Sequence, residues 1–190
     1  MQAKEKEFAA VCIPPYLVDV ARKALGDKSD VAIATVIGFP LGYNELTVKI
    51  NECKSTMDDG ADELDVVVNI SAVKSNDWDL IRAEIDSIAT TISMKDKVVK
   101  LILETGMMTD DEISRLCKLC IEYNVDFAKT STGFNGSGAS IEKVKFMKGI
   151  LGNKVKIKAS GGINSIEAAL AMIEAGASRI GTSSAMQFLI

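Results

Sequence analysis

The sequence predicts an α/β fold, a parallel β/α barrel of the TIM type shortened to about seven strands. Short apolar, β-branched runs alternate with amphipathic stretches, which indicates a parallel sheet covered by helices. Polar or glycine-containing clusters follow several runs, whereas the returns from helix to strand are short. That asymmetry is typical of a barrel with its site at the carboxyl ends of the strands. An open doubly wound sheet is the alternative, but no G-x-G-x-x-G follows the first strand.

Seven segments have the length and composition of buried strands. In chain order they are FAAVCI, VAIATVI, ELDVVVN, KVVKLIL, VDFAKTS, VKIKAS and SRIGTSS. The stretches between them, such as DDEISRLCKLCIEY and SIEAALAMIEAG, repeat apolar residues at helical spacing. Because no long linker or low-complexity segment interrupts the alternation, we expect one domain over residues 1–190.

Composition excludes several classes of function. A formal charge of −4 gives no basic surface for a phosphate backbone or anionic lipid, so we expect neither nucleic acid nor membrane as a partner. The chain contains no histidine, which removes Ser-His-Asp and Cys-His nucleophile pairs and metal sites built on imidazole. Any catalysis is therefore left to Lys, Asp, Glu, Tyr or Cys.

Apolar length and cysteine usage predict a cytoplasmic protein. No stretch approaches the roughly 20 apolar residues that a membrane-spanning helix needs, and the opening residues lack a signal-peptide apolar region. The four cysteines are few and scattered, which argues against a disulfide framework. Cys117 and Cys120 fall late in a predicted helix, so we interpret them as buried core residues rather than a redox pair.

Lys129 lies near the end of a segment that otherwise reads as a buried strand. Burial or a neighbouring cation lowers the pKa of a lysine and frees its amine to attack a carbonyl. The alternative is that Lys129 pairs with a carboxylate or reaches the rim of the barrel.

Lys158 ends the next predicted strand before a glycine turn. If consecutive strands pair in order, Lys158 lies beside Lys129 and disfavours its protonation. Lys156 has the same strand parity and is the rival for that role, one layer deeper or outside the site.

Asp65 projects inward midway along an apolar strand when side chains alternate faces. A carboxylate near two lysines can transfer the protons that imine chemistry requires, although it is equally a candidate for a structural ion pair. Lys100 and Glu104 share a face of the next strand, and we expect both to lie near this cluster.

Backbone N–H groups and hydroxyls are predicted to converge after the last strands. The segments Ser160–Asn164 and Gly181–Ser184 follow strands at the place where such barrels bind phosphate. The turn Thr130–Gly133 adds a third polar cluster. A phosphate-binding site is therefore predicted there.

Seven motifs resemble those of the deoxyribose-phosphate aldolase family, in order and across nearly the whole chain. They are VCIPPYL, TVIGFPLG, GADELDVVVN, KLILETG, DFAKTSTGF, VKIKASGGI and GASRIGTSSA. The pairing of KTSTGF with KASGGI is the most specific. The resemblance implies a class I aldolase that reversibly cleaves 2-deoxy-D-ribose 5-phosphate to D-glyceraldehyde 3-phosphate and acetaldehyde, without metal or organic cofactor.

The same resemblance implies roles for individual residues. It makes Lys129 the Schiff-base lysine, Lys158 the partner that perturbs it, and Asp65 the proton-transfer residue. It places Cys12 near the site, where strand parity and the polar turn after Lys129 already predict Lys100 and Thr132. The residues expected around the substrate phosphate are Gly133, Gly161, Gly162, Gly181, Ser183 and Ser184.

Two departures from the family pattern affect these expectations. The chain starts about where the family's second strand is expected, and Asn164 stands where an arginine is common. A barrel without its first strand and helix has two open edges, so we expect a homodimer. A shortened closed barrel and an inactive fragment are alternatives for the architecture. An aldolase with an altered aldehyde acceptor and a non-catalytic sugar-phosphate-binding protein are alternatives for the function.

Overall fold

A computed structural model describes residues 2–188. Met1, Leu189 and Ile190 of the predicted 1–190 domain lie outside the described residues. The seven predicted strands are all present, each within or overlapping its predicted segment. They are β1 Ala10–Ile13, β2 Ala32–Ile37, β3 Glu63–Val67, β4 Val98–Ile102, β5 Phe127–Lys129, β6 Lys156–Ser160 and β7 Arg179–Gly181.

The strands form one parallel sheet in chain order, from β1 to β7. Each strand pairs with the next, and among the described residues β1 and β7 remain the two edges. The sheet curls into a half-barrel with helices on its outer side, so the prediction of a shortened TIM-type α/β fold is confirmed. Every residue of β3 is buried, as expected for a central parallel strand covered on both faces.

Helices flank and connect the strands, and all but the first and the last of those described link consecutive strands. They are α1 Gln2–Glu5, α2 Val18–Leu25, α3 Leu46–Asp58, α4 Ile70–Lys74, α5 Trp78–Ser93, α6 Asp110–Glu122, α7 Ile141–Leu151, α8 Ile166–Glu174 and α9 Ala185–Phe188, with 3-10 turns at Pro15–Leu17 and Thr105–Met107. Polar side chains define several starts. Thr109 forms a capping box with Glu112 at α6, and Ser140 and Ser165 cap α7 and α8.

The apolar core lies between the sheet and the inner faces of these helices. Helix α5 contributes Ile81, Ile85, Ile88 and Ile92 at helical spacing, and all four side chains are buried. Cys117 and Cys120 lie in α6 as free, buried thiols, as predicted. No helix within residues 2–188 has the length and apolar character needed to cross a membrane.

Candidate active site

Four predicted residues meet at the inner surface of the sheet because of strand register. Asp65 pairs with Lys100 across β3 and β4, and Lys129 pairs with Lys158 across β5 and β6. All four side chains are buried. Neighbouring strands place equivalent positions side by side, so three cations converge on one carboxylate.

Asp65 divides its two carboxylate oxygens among the three lysines. Its Oδ2 accepts hydrogen bonds from Lys129 Nζ at 2.8 Å and from Lys158 Nζ at 2.6 Å. Its Oδ1 accepts from Lys100 Nζ at 2.8 Å. The side chain of Asp65 is fully buried, so these contacts replace its hydration.

The electrostatics of the cluster separate the two lysines that share Oδ2. Burial, reinforced by the charge of Lys158, lowers the pKa of Lys129 in spite of the attraction of Asp65. For Lys158 burial acts in the same direction, but the combined attraction of Asp65 and other nearby acidic groups exceeds it and raises the pKa. Burial also opposes the charge of Asp65, yet the lysines hold its pKa well below the usual range. Lys129 is thus the member best able to present a neutral amine.

A second carboxylate continues the charge network below the site. Lys100 Nζ lies 2.7 Å from Glu63 Oε2 as well as 2.8 Å from Asp65. Glu63 in turn contacts Arg179 of β7 at 3.2 Å. Alternating charges therefore cross the interior of the half-barrel from β7 to Lys129.

A cavity of about 440 Å³ opens above Lys129 and Lys158. Both lysines line it, whereas Asp65 and Lys100 lie beneath its surface. The other predicted site residues all line the same cavity: Cys12, Thr132, Gly133, Gly161, Gly162, Gly181, Ser183 and Ser184. Asn164 lines it as well, in the turn after β6.

Glycine allows two of the surrounding turns to touch. Gly161 has a φ of +92°, and a Cβ there would lie 2.9 Å from the Cα of Gly138. A Cβ on Gly138 would lie 2.2 Å from the carbonyl oxygen of Gly161. The loop after β5 can therefore reach the turn after β6 only with glycine at these positions.

Lys156 lies outside the cluster, which leaves Lys158 as the partner of Lys129. The Lys156 side chain is exposed, and its Nζ lies 5.4 Å from the ring centroid of Phe127. Glu104, expected near the cluster, does not join it. Its carboxyl group contacts Thr132 and Asn135 of the loop after β5 rather than any of the three lysines.

Sequence reasoning missed one prominent wall of the cavity. Phe134 is 77% exposed and packs edge-to-face against Phe39, with ring centroids 5.2 Å apart. The sequence offered one signal that Phe134 lies at the cavity, because it directly follows Thr132 and Gly133, which were both predicted to lie at the site. The contact with Phe39 joins segments far apart in the chain, so periodicity within one segment does not reveal it.

The arrangement has the groups that imine chemistry requires. Lys129, with its lowered pKa, faces a cavity large enough for a small sugar phosphate. Beside Lys129, the buried carboxylate of Asp65 and the ammonium group of Lys158 are hydrogen-bonded to each other. Turns rich in glycine and serine line the opposite part of the cavity and offer backbone N–H and hydroxyl donors.

Comparison with known proteins places the chain among aldolases. Residues 1–186 match the family model described as "DeoC/LacD family aldolase". A deoxyribose-phosphate aldolase of Thermococcus gammatolerans is 45% identical over 189 residues, which span 99% of this chain and 84% of that protein. Another, from Caldicellulosiruptor saccharolyticus, is 48% identical over 184 residues, or 96% of this chain and 83% of that protein.

Solved structures agree with the sequence relatives. The aldolase QR15 superposes with a TM-score of 0.92 at 42% identity and covers 98% of this chain and 82% of its own. A tetrameric deoxyribose phosphate aldolase from Aeropyrum pernix gives 0.89 at 33% identity, over 99% of this chain and 79% of its own. The chain belongs to the DeoC/LacD family of aldolases.

Proposed function

We propose that the chain is a class I aldolase that reversibly cleaves 2-deoxy-D-ribose 5-phosphate to D-glyceraldehyde 3-phosphate and acetaldehyde. The observation that carries this proposal is the pair of lysines, Lys129 and Lys158, sharing Asp65 Oδ2 at the floor of the cavity. Curated relatives of 45% and 48% identity named deoxyribose-phosphate aldolase support the choice of substrate.

Lys129 provides the nucleophile in this mechanism. Its neutral amine adds to the C1 aldehyde of the open-chain sugar, and loss of water from the carbinolamine leaves an iminium ion. Asp65 and Lys158 lie on one side of the amine and exchange the protons that addition and dehydration require.

The iminium ion makes carbon–carbon cleavage possible. Removal of the proton from the C3 hydroxyl sends the electrons of the C2–C3 bond into the iminium, which becomes an enamine while glyceraldehyde 3-phosphate leaves. Protonation of the enamine at C2 and addition of water release acetaldehyde and restore the amine of Lys129. Asp65 and Lys158 are the proton-transfer groups we assign to these steps.

The turns after β5, β6 and β7 hold the phosphate in this proposal. Their contribution is a set of small residues, namely Gly133, Gly161, Gly162, Gly181, Ser183 and Ser184, which line one part of the cavity. Asn164 is the neutral residue beside them, so the grip on the phosphate comes mainly from N–H and hydroxyl groups. Cys12 and Thr132 line the cavity without a step assigned to them, and Lys100 supports Asp65 from below.

The proposal also covers the oligomeric state of the protein and its cellular compartment. We infer a homodimer, because β1 and β7 leave two unpaired strand edges in the part of the chain that the structure describes. The free cysteines support a cytoplasmic enzyme.

Trapping of the imine tests the mechanism. Borohydride reduction in the presence of acetaldehyde converts an imine into a stable ethylamine, which intact-mass measurement detects. We expect one specific adduct on the wild type and on Lys156→Ala, whose lysine is exposed and outside the cluster, and none on Lys129→Ala. Equal labelling of all three proteins, or none on the wild type, contradicts the proposal.

A further inference from the structure

Glu104 combines burial with an unfavourable backbone conformation. It lies two residues beyond β4, is fully buried, and has φ 54° and ψ 55°. Five non-glycine residues within 2–188 have positive φ, and Glu104 alone among them is buried. Side chains other than glycine adopt this region at a cost, so surrounding contacts must hold Glu104 there.

The contacts of Glu104 converge on the loop that follows the reactive lysine. Its Oε2 accepts a hydrogen bond from the hydroxyl of Thr132 at 2.5 Å. The backbone N–H of Thr132 points at both carboxyl oxygens, 3.3 Å from each. The side-chain amide of Asn135 donates to Oε2 at 3.2 Å. One buried side chain thus receives donors from two residues of the segment 132–135.

The same loop residues form further hydrogen bonds within their own loop and to the loop after β2. Thr132 Oγ1 accepts from the backbone N–H of Phe134 at 3.1 Å, which fixes the chain on both sides of Gly133. Asn135 donates to the carbonyl oxygen of Pro40 at 2.8 Å. Glu104 therefore ties three segments together: the end of β4, the loop after β5 and the loop after β2.

We propose that Glu104 is a positioning residue for the phosphate end of the substrate, acting by holding Thr132 and Gly133 against the turn after β6. This inference rests on the proposed function. Gly133 abuts that turn, since a Cβ built on Gly161 would lie 3.4 Å from the Cα of Gly133. The phosphate end of the cavity is therefore shaped by the segment that Glu104 anchors.

The reactive end is held by separate contacts. Lys129 is fixed by strand pairing, because its carbonyl accepts from the N–H of Leu103, and its amine is held by Asp65. Loss of the Glu104 anchor leaves both in place. Binding of the phosphate should therefore suffer while formation of the imine does not.

Glu104→Gln tests this separation with little change in shape. The new amide is a donor and faces the donors of Thr132 and Asn135, so part of the anchor is lost. We expect the KM for 2-deoxyribose 5-phosphate to rise about tenfold, in line with losing a buried hydrogen bond, while kcat changes less than about threefold. The kcat/KM for unphosphorylated 2-deoxyribose and the borohydride-trapped acetaldehyde adduct should stay at the wild-type level. Glu122→Gln, an exposed glutamate on α6, is the matched control and should equal the wild type.

Substitutions at Thr132 examine the same anchor from its partner side. Thr132 is only partly buried, so its variants preserve the core. Thr132→Val should reproduce the rise in the KM for 2-deoxyribose 5-phosphate. Thr132→Ser keeps the hydroxyl, so its KM should be close to that of the wild type. Unchanged KM in both Glu104→Gln and Thr132→Val overturns the proposal, as does an equal loss on both sugars.

Hydrogen exchange distinguishes failure of this inference from failure of the proposed function. Absence of a borohydride adduct on the wild type would reject the aldolase mechanism itself. Glu104→Gln should still accelerate exchange of the amide protons in the segment 132–135, because the anchor is geometric. Wild-type exchange in that segment overturns the role of Glu104 whatever the wild-type activity.

Discussion

At the scale of single residues, Asp65 organises the site by using its two oxygens differently. Lys100 occupies Oδ1, so Lys129 and Lys158 must share Oδ2. Two ammonium groups on one oxygen repel each other, and burial penalises both charges. Both effects favour the neutral form of a lysine, and of the two it is Lys129 whose pKa is lowered.

We expect the charge of Lys158 to keep the pKa of Lys129 low. In Lys158→Met the repulsion disappears and Asp65 Oδ2 interacts with Lys129 alone, and both changes raise the pKa of Lys129. The pH profile of imine formation should therefore move to higher pH. A tenfold smaller fraction of neutral amine at pH 7 corresponds to a pKa higher by about one. Rates of acetaldehyde imine formation, measured by borohydride quenching over a series of alkaline and acidic buffers, would report the change.

Lys156→Met is the matched control for this experiment. Lys156 lies on the same strand and carries the same charge, but it is exposed and contacts Phe127 instead of Asp65. Its profile should coincide with that of the wild type. A Lys158→Met profile that falls in amplitude without moving along the pH axis would contradict the electrostatic role of Lys158.

At the scale of elements, strand parity explains both what the sequence revealed and what it did not. Parity placed Asp65, Lys100, Lys129 and Lys158 on one inner surface, because regular strands alternate side chains and consecutive strands pair in order. The same rule fails for Glu104. Strand β4 ends at Ile102, and the left-handed backbone at Glu104 turns its side chain toward the loop after β5.

Contacts between distant loops were likewise beyond the sequence. Phe39 contacts Phe134, and Pro40 contacts Asn135. Both contacts depend on the paths of two irregular segments, the loop after β2 and the loop after β5. Neither segment has a periodicity that specifies its path. The turns themselves were predictable, because glycine and serine clusters mark them, but the contacts between them were not.

A buried ion pair supports the strand that carries Asp65. Lys49 of α3 and Glu84 of α5 lie 2.6 Å apart, and both are buried. Lys49 also donates to the carbonyl oxygen of Val67 at 2.9 Å, and Glu84 accepts from the N–H of Asn69 at 3.0 Å. The pair therefore satisfies backbone groups at the carboxyl end of β3, just beyond Asp65.

Removing one member of this pair should lower the stability of the folded protein. Glu84→Leu leaves the Lys49 ammonium buried without its carboxylate, so the free energy of unfolding should fall by about 3–5 kcal/mol. The double variant Lys49→Met/Glu84→Leu should recover at least half of that loss, because no uncompensated charge is left. Urea unfolding followed by circular dichroism gives both values.

The exposed pair between Arg82 and Glu122 provides the comparison. Both side chains are 49% exposed, so Arg82→Ala should leave the free energy of unfolding close to that of the wild type. A Glu84→Leu variant no less stable than Arg82→Ala would show that the buried pair does not support β3.

At the scale of the whole molecule, the half-barrel has a polar interior and two open edges. Asp65, Lys100, Lys129 and Lys158 are held by β3 to β6, which lie between those edges, and of the interior charges described above only Arg179 stands on the β7 edge. Edge strands nevertheless present unpaired N–H and C=O groups that favour association. The surface next to β7 is also apolar: Ile166, Leu170 and Ile173 share one face of α8 and are 45%, 52% and 51% exposed.

These two features lead to the prediction that two copies associate along the β7 edge and the adjoining face of α8. Light scattering should give twice the mass of one chain for the wild type, because apolar burial beside a free edge favours a symmetric contact. The double variant Leu170→Glu/Ile173→Glu places two like charges at that contact, so we expect the mass of one chain.

Val48→Glu on α3 is the control, because it adds charge at an exposed apolar position away from β7 and should leave the dimer intact. A wild type with the mass of one chain at micromolar concentration would reject the dimer. A dimeric double variant would instead move the contact from α8 to another surface.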